Sequence, residues 1–312
     1  MGATTRSKST QMLANSEGGM IARGSQLPIA IAFFVTLFLA VVIAIVYGWH
    51  RWGRTVVARP VYRIAAENIR ATPSPPWIRS DVRGEIIRDG ALHDLTIFDK
   101  DVTIRVYQAF ELHPWVLKVK RVSKHPPARL DVDVEYRIPV AWVEVPRGLL
   151  PGNEGGVIPV DGNAVVLPSR DFSQEHVQDY LRISVAGITP CGLAGTPWGD
   201  ARVTGAARIA ALLHNVWRDA KLFRVRLSTA AEVVRHDSQP VFELETQSHH
   251  RIIWGHAPGE EMSDEPSSTV KLKRLSQLVE AVGDLDKAAE SIWDLRSAES
   301  FQLKRIARGT LN

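Results

Sequence analysis

Apolar and polar positions along this 312-residue chain fall into one long apolar run followed by many short alternating stretches. The run covers residues 27–48, close to the N-terminus, and carries no charge. At about 1.5 Å per residue, a helix of that length crosses the hydrocarbon core of a bilayer. The apolar core of a cleaved signal peptide is shorter, about 7–15 residues. Here the run continues into Tyr47, Trp49 and Trp52, aromatic residues suited to the headgroup belt. The pattern predicts an uncleaved spanning helix at residues 27–48, a tail at 1–26 and a juxtamembrane linker at 49–76.

Beyond the linker the short patterns predict a small α+β domain at residues 77–145. Residues 64–70 read as linker or a short juxtamembrane helix, and Pro73, Pro75 and Pro76 break any helix before Trp77. Residues 82–88 read as a first strand, turning at Asp89 and Gly90. Asp99 is placed to cap a helix running to Leu112, with Val102, Val106, Ala109 and Phe110 on one face. Strands follow at 115–122 and 130–136, joined by a turn at His125, Pro126 and Pro127, with a short one at 142–145. In the second, Leu130, Val132, Val134 and Tyr136 alternate with Asp131, Asp133 and Glu135, giving one buried and one wet face. Trp115, Val116, Leu130 and Trp142 are expected in the core.

Residues 146–312 read as a mostly antiparallel β domain with flanking helices. A hairpin at 157–167 turns at Asp161, Gly162 and Asn163, and a helix starts at Thr204 or Gly205 and runs to Asp219. Half-buried strands are expected at 223–227 and 242–245, with a short strand at 251–254. The acidic stretch 257–268 reads as a mobile loop, and 269–282 as an amphipathic helix through Leu272, Leu275, Leu278, Val279 and Val282. Strands at 291–296 and 301–306 close the chain.

Composition narrows the chemistry. The net charge of +4 is mild and the arginines are scattered, so no nucleic-acid footprint is present. Cys191 is the single cysteine; it excludes an internal disulfide and is expected to pack as a small apolar group. His249 and His250 would point to opposite faces of a strand, so together with His256 they read as surface histidines rather than metal ligands. Asp131, Asp133 and Glu135 read as a solvated face. The glycine-rich stretches match neither a phosphate loop nor a dinucleotide fingerprint, and no nucleophile elbow or H-E-x-x-H motif occurs. The expectation is a protein without catalysis, cofactor or metal. Charge at the helix ends argues the other way on topology. Arg6, Lys8 and Arg23 precede the run and Arg51, Arg54, Arg59 and Arg63 follow it, which by the positive-inside rule would keep the body cytoplasmic.

Several segments, in order, resemble the bacterial cell-division proteins FtsQ and DivIB. They are His113-Pro114-Trp115-Val116, the basic stretch from Lys118 to Arg121, and Pro127-Ala128-Arg129-Leu130. Tyr136-Arg137-Ile138-Pro139-Val140-Ala141-Trp142 follows, with the Glu135 and Arg137 pair shifted by one residue from the family pattern. The hairpin at 157–167, the helix at 271–282 and Trp293-Asp294-Leu295-Arg296 agree in order. The resemblance implies a cytoplasmic tail, one inner-membrane helix, a POTRA domain and a β domain outside the cytoplasm. It also implies a non-enzymatic divisome scaffold at the division site. Its partners would be FtsB-like and FtsL-like bitopic proteins, the septal peptidoglycan synthase complex and membrane lipid. The orientation then runs against the flanking arginines, which large translocated domains tolerate. The alternatives are a POTRA-containing envelope protein of a secretion or polypeptide-transport pathway, and a membrane-anchored enzyme.

The last two strands are the expected partner edge, since an unpaired sheet edge accepts another chain's strand. Trp293, Leu295, Phe301 and Leu303 are candidate anchors, and Arg296, Lys304 and Arg305 are placed to meet an acidic partner. Trp293 and Leu295 could equally fill the β-domain core.

Overall fold

The computed structural model describes residues 26–57, 60–149, 155–228, 239–287 and 292–296. The chain divides into two units, one ending at Arg63 and one beginning at Ile64. In the first, α1 (Gln26–Val57) contains the apolar span Ile31–Arg51, long and apolar enough to cross a membrane. The helix continues to Val57, past the expected end at residue 48, since no proline lies between Pro28 and Pro60 to stop it.

The second unit is α+β. β1 (Arg63–Ile64) lies at its boundary, and its further strands are β2 (Ile69–Ala71), β3 (Leu95–Thr96), β4 (Val116–His125), β5 (Arg129–Tyr136) and β6 (Pro139–Val145), then β7 (Gly156–Asp161) and β8 (Leu181–Ser184). After these come β9 (Leu222–Leu227), β10 (Phe242–Thr246), β11 (Arg251–Gly255) and β12 (Ile292–Asp294). Its helices are α2 (Val82–Asp89), α3 (Val102–Glu111), α4 (Ala201–Leu212) and α5 (Ser268–Val282).

In a three-stranded sheet of order β2-β5-β4, β4 packs against α3, which in turn packs against α2. Leu130, Val132, Val134 and Tyr136 are buried along β5, as their alternation predicts, while Asp133 and Glu135 are exposed. Three local readings change. Residues 69–71, expected in a linker, form β2 and pair in parallel with β5 at Ile69 and Leu130. Residues 82–88, expected as a strand, are helical. The Asp81 carboxylate accepts the Gly84 N–H at 3.0 Å, and Val82, Ile86 and Ile87 share a buried face. Asp101, rather than Asp99, occupies the N-cap of α3; Asp99 instead accepts the Thr96 N–H at 2.8 Å and the Thr96 hydroxyl at 2.7 Å.

The larger sheet has the order β12-β11-β10-β9-β8-β6-β7. Parallel neighbours need a crossover. α4 supplies part of the connection between β8 and β9, and α5 the one between β11 and β12. Asp200 caps α4 by accepting the Arg202 N–H at 2.8 Å, and the helix ends at Leu212, short of the expected Asp219. Gly205 lets α4 approach β10, since a Cβ there would lie 2.7 Å from the Phe242 ring. The hairpin after β6 is built from β7 and a return arm that meets it through the isolated bridge of Val160 with Val166 and the Leu167 N–H to Pro159 carbonyl bond.

Burial expectations fail at β10 and at Cys191. β10 is interior, flanked by β9 and β11, so its second face is buried as well. Glu243 is wholly enclosed, accepting from Arg251 Nη2 at 2.6 Å and Ser228 Oγ at 2.5 Å. Glu245 is buried against His249, Arg224 and Arg226. Cys191, expected to be packed, is exposed.

The two sheets adjoin with only Arg137 and Ile138 between β5 and β6. Arg137 pairs with buried Asp161 at 2.7 Å, and Trp77 Nε1 donates to the Arg137 carbonyl at 3.1 Å. Buried Asp171 accepts the Ser80 N–H at 2.7 Å and Trp115 Nε1 at 2.6 Å. Phe172 sits between Trp115 and Trp142, with ring centroids 5.9 and 5.0 Å away. All four residues expected in the core, Trp115, Val116, Leu130 and Trp142, are buried.

Candidate partner-binding edge

A strand can be added only where a sheet ends, so the free edges locate the candidates. β7 closes one end of the larger sheet, but Pro159 offers no N–H there and the Leu167 N–H already donates to the Pro159 carbonyl at 2.8 Å. β4 is an edge of the smaller sheet, with its Val119 N–H taken by Glu111 Oε1 at 3.0 Å. β12 closes the other end of the larger sheet, and among the described residues no strand flanks its outer side.

β12 pairs in parallel with β11 through Ile292 with Arg251, Trp293 with Ile252 and Asp294 with Ile253. The Leu295 N–H donates inward to the Ile253 carbonyl at 3.0 Å. Backbone groups alternate in direction along a strand, so the amides of Ile292 and Asp294 face the outer edge.

Of the residues expected to contact a partner, Trp293 and Leu295 are buried in the core with Leu275 and Leu278 of α5. Their side chains support the edge from beneath rather than projecting from it. Arg296 is half-buried and folds back on Asp294, with Nε 3.0 Å and Nη2 2.9 Å from its carboxylate. The Asp294 hydrogen bond raises the guanidinium pKa further. Phe301, Leu303, Lys304 and Arg305 lie outside the described residues.

What anchors β12 is a set of polar residues that the sequence pattern did not single out. Arg274 Nη1 of α5 donates to the Leu295 carbonyl at 2.7 Å. The first turn of α5 is tied to the preceding loop. Lys271 Nζ reaches Glu265 Oε1 at 2.6 Å and the His256 carbonyl at 3.2 Å, and it lies 5.3 Å from the Trp254 ring centroid. His256, expected at the surface, is buried because its ring packs against this carboxylate, with Nδ1 2.5 Å from Glu265 Oε2. Burial pushes the Lys271 pKa down, outweighing its carboxylate partner. For Glu265 burial acts upward, but the Lys271 and His256 hydrogen bonds outweigh it and hold the carboxyl below its ordinary value. Gly255, at φ +96°, is wedged between Glu265 and Arg296, where a Cβ would lie within 3.0 Å of both. The one sequence signal was Lys271 itself, a cation on the same helical stripe as Leu275 and Leu278.

The acidic loop 257–268 therefore turns two of its carboxylates inward instead of presenting them all to solvent. Glu261 accepts the Ser268 N–H at 2.8 Å and bonds the Ser268 hydroxyl at the start of α5. His249 and His250 sit in the turn between β10 and β11. Among the described residues no group of three or more potential ligands is arranged to hold a metal ion. The edge offers backbone hydrogen bonds and a backing braced by ion pairs and hydrogen bonds. No protein family model matches the chain, and no curated protein matches it.

Proposed function

We propose that this chain is a non-enzymatic bitopic scaffold of the bacterial division machinery. Its N-terminus lies in the cytoplasm, α1 spans the inner membrane and its α+β unit lies outside the cytoplasm at the division site. The observation that carries the reading is β12, a sheet-end strand that no other strand flanks among the described residues, in a chain whose described residues include one membrane-length helix. The module β2-α2-α3-β4-β5 serves as the POTRA-like domain, and the FtsQ-type β domain starts at β6 rather than at residue 146, since β6 pairs with β7 and β8. FtsB-like and FtsL-like bitopic proteins are its partners, and through them the septal synthase complex. One partner strand pairs along β12, and Lys304 and Arg305 attract its acidic residues, an effect felt mainly in association rate and salt dependence.

A fluorescent protein fused before residue 1 tests the reading in living cells. Concentration at midcell, or at the bud neck of a budding cell, is the expected result; even membrane fluorescence throughout division overturns it. The POTRA-containing transport protein is the competing reading, and it predicts the even distribution. Lys304→Glu with Arg305→Glu should weaken division-site enrichment while leaving membrane insertion intact.

A further inference from the structure

The larger sheet has one face packed against α4 and a second face of different chemistry. Val143, Ile183, Val225, Leu244 and Ile252 point into the core shared with α4. Alternation sends their neighbours to the opposite face, and the strand registers align them there. Arg182 stands opposite Arg224, Arg224 opposite Glu245, Arg226 opposite Glu243, and Glu245 opposite Arg251. Glu144 of β6 joins them, 3.4 Å from Arg182 and 3.0 Å from Arg224.

The charges on this face are layered by depth. Glu243 and Glu245 have side chains 0% and 3% exposed. Above them Arg182, Arg224, Arg226 and Arg251 have side chains 30%, 22%, 33% and 30% exposed. Among the described residues of β6, β8, β9, β10 and β11, four guanidiniums oppose three carboxylates, two of which are hidden, so the charge these strands present to solvent is positive. The arginines are also held in place. Arg182 and Arg224 lie with Cζ 4.7 and 5.2 Å from the Phe223 ring centroid. Arg226 and Arg224 both reach Glu245 at 3.6 Å, and Arg251 is fixed on Glu243 through Nε at 2.8 Å.

We propose that this guanidinium-lined face is a docking surface for an acidic, extended segment of another polypeptide, separate from strand addition at β12. A planar fork that is already oriented loses little freedom when a carboxylate joins it. The carboxylates beneath keep the fork aimed, and the half-buried setting reduces screening of each new contact. A phospholipid surface is a poorer fit. Cations that bind headgroups project on free side chains, whereas these four are drawn down onto acids and a ring.

The test uses the full chain in nanodiscs of neutral lipid, with fluorescein-labelled hexaglutamate as probe and hexaglutamine as control. Hexaglutamate should bind, with affinity falling about tenfold or more between low salt and about 0.3 M NaCl. Arg182→Gln with Arg226→Gln should weaken it by about tenfold, because Glu144, Glu243 and Glu245 each keep another arginine. Arg182→Lys with Arg226→Lys should fall between the two and shows that the loss is of charge rather than of fold. Equal binding of hexaglutamine, or unchanged hexaglutamate binding by the glutamine variant, overturns the proposal. Tighter retention of phosphatidylglycerol vesicles than of hexaglutamate assigns the face to lipid and also overturns it. None of these outcomes depends on β12.

Discussion

Lys271 Nζ lies 2.6 Å from Glu265 Oε1, and the lysine side chain is wholly shielded from solvent. The pair joins α5 to the loop that follows β11, and α5 in turn holds the end of β12 through Arg274 and Leu295. A buried ion pair of this kind contributes little net stability compared with an apolar pair, but removing one partner strands the other charge. Lys271→Ala should therefore destabilise the unit by about 3–5 kcal/mol, read by urea unfolding with tryptophan fluorescence. Lys271→Met combined with Glu265→Leu should recover most of that loss. If the single and double variants unfold at the same urea concentration, the pair is not what holds the loop.

Acid should act on the same loop. Burial alone would raise the Glu261 pKa, but the hydrogen bonds from Ser268 and from backbone N–H groups outweigh it and lower the value from 4.5 to about 2. A carboxyl with a depressed folded pKa stabilises the fold above its unfolded pKa, and that contribution disappears as pH falls through the folded value. Stability should thus decline between about pH 4.5 and pH 2, and Ser268→Ala should shrink the part of the decline that belongs to Glu261. Hydrogen exchange of the first turn of α5 across that range is the measurement.

Asp171 ties the two sheets together. It accepts from Ser80 of the smaller module and from Trp115 Nε1 while nearly enclosed. Asp171→Ala leaves those donors without their acceptor, at a cost of about 2–3 kcal/mol. Limited proteolysis should then cut between the modules, near residues 137–138, before either module is degraded. Simultaneous loss of both modules would show that they do not separate at this joint.

Cys191 offers a direct reading of topology, since it is the single cysteine and is exposed. With the α+β unit outside the cytoplasm, a membrane-impermeant maleimide should label it in intact spheroplasts. Labelling that requires lysis would place the unit inside and remove the proposed function.

Much of the smaller module was legible because one strand face is wet. Leu130, Val132, Val134 and Tyr136 alternate cleanly with acids, so burial follows from sequence period alone. The same logic misled at β10, where Glu243 and Glu245 alternate with Phe242 and Leu244 just as a half-exposed strand would. Their burial depends on arginines more than a dozen residues back, at 224 and 226, and on Arg251 in the next strand. Local pattern also misassigned residues 82–88, where a carboxylate cap at Asp81 decided for helix. At the candidate edge, Trp293 and Leu295, named both as partner anchors and as possible core residues, are buried, and the expected strand at 301–306 lies outside the described residues.

By itself the sequence determined the membrane-length helix, the α+β class and the positions of most helices and strands, because these follow from short-range periodicity and from the length of one apolar run. Only the tertiary structure decided which strands end a sheet, which acids lie beneath arginines and which lysine is buried. Those properties belong to contacts between residues far apart in the chain. An alternating pattern records that a side chain has a covered face, and strand order determines what covers it.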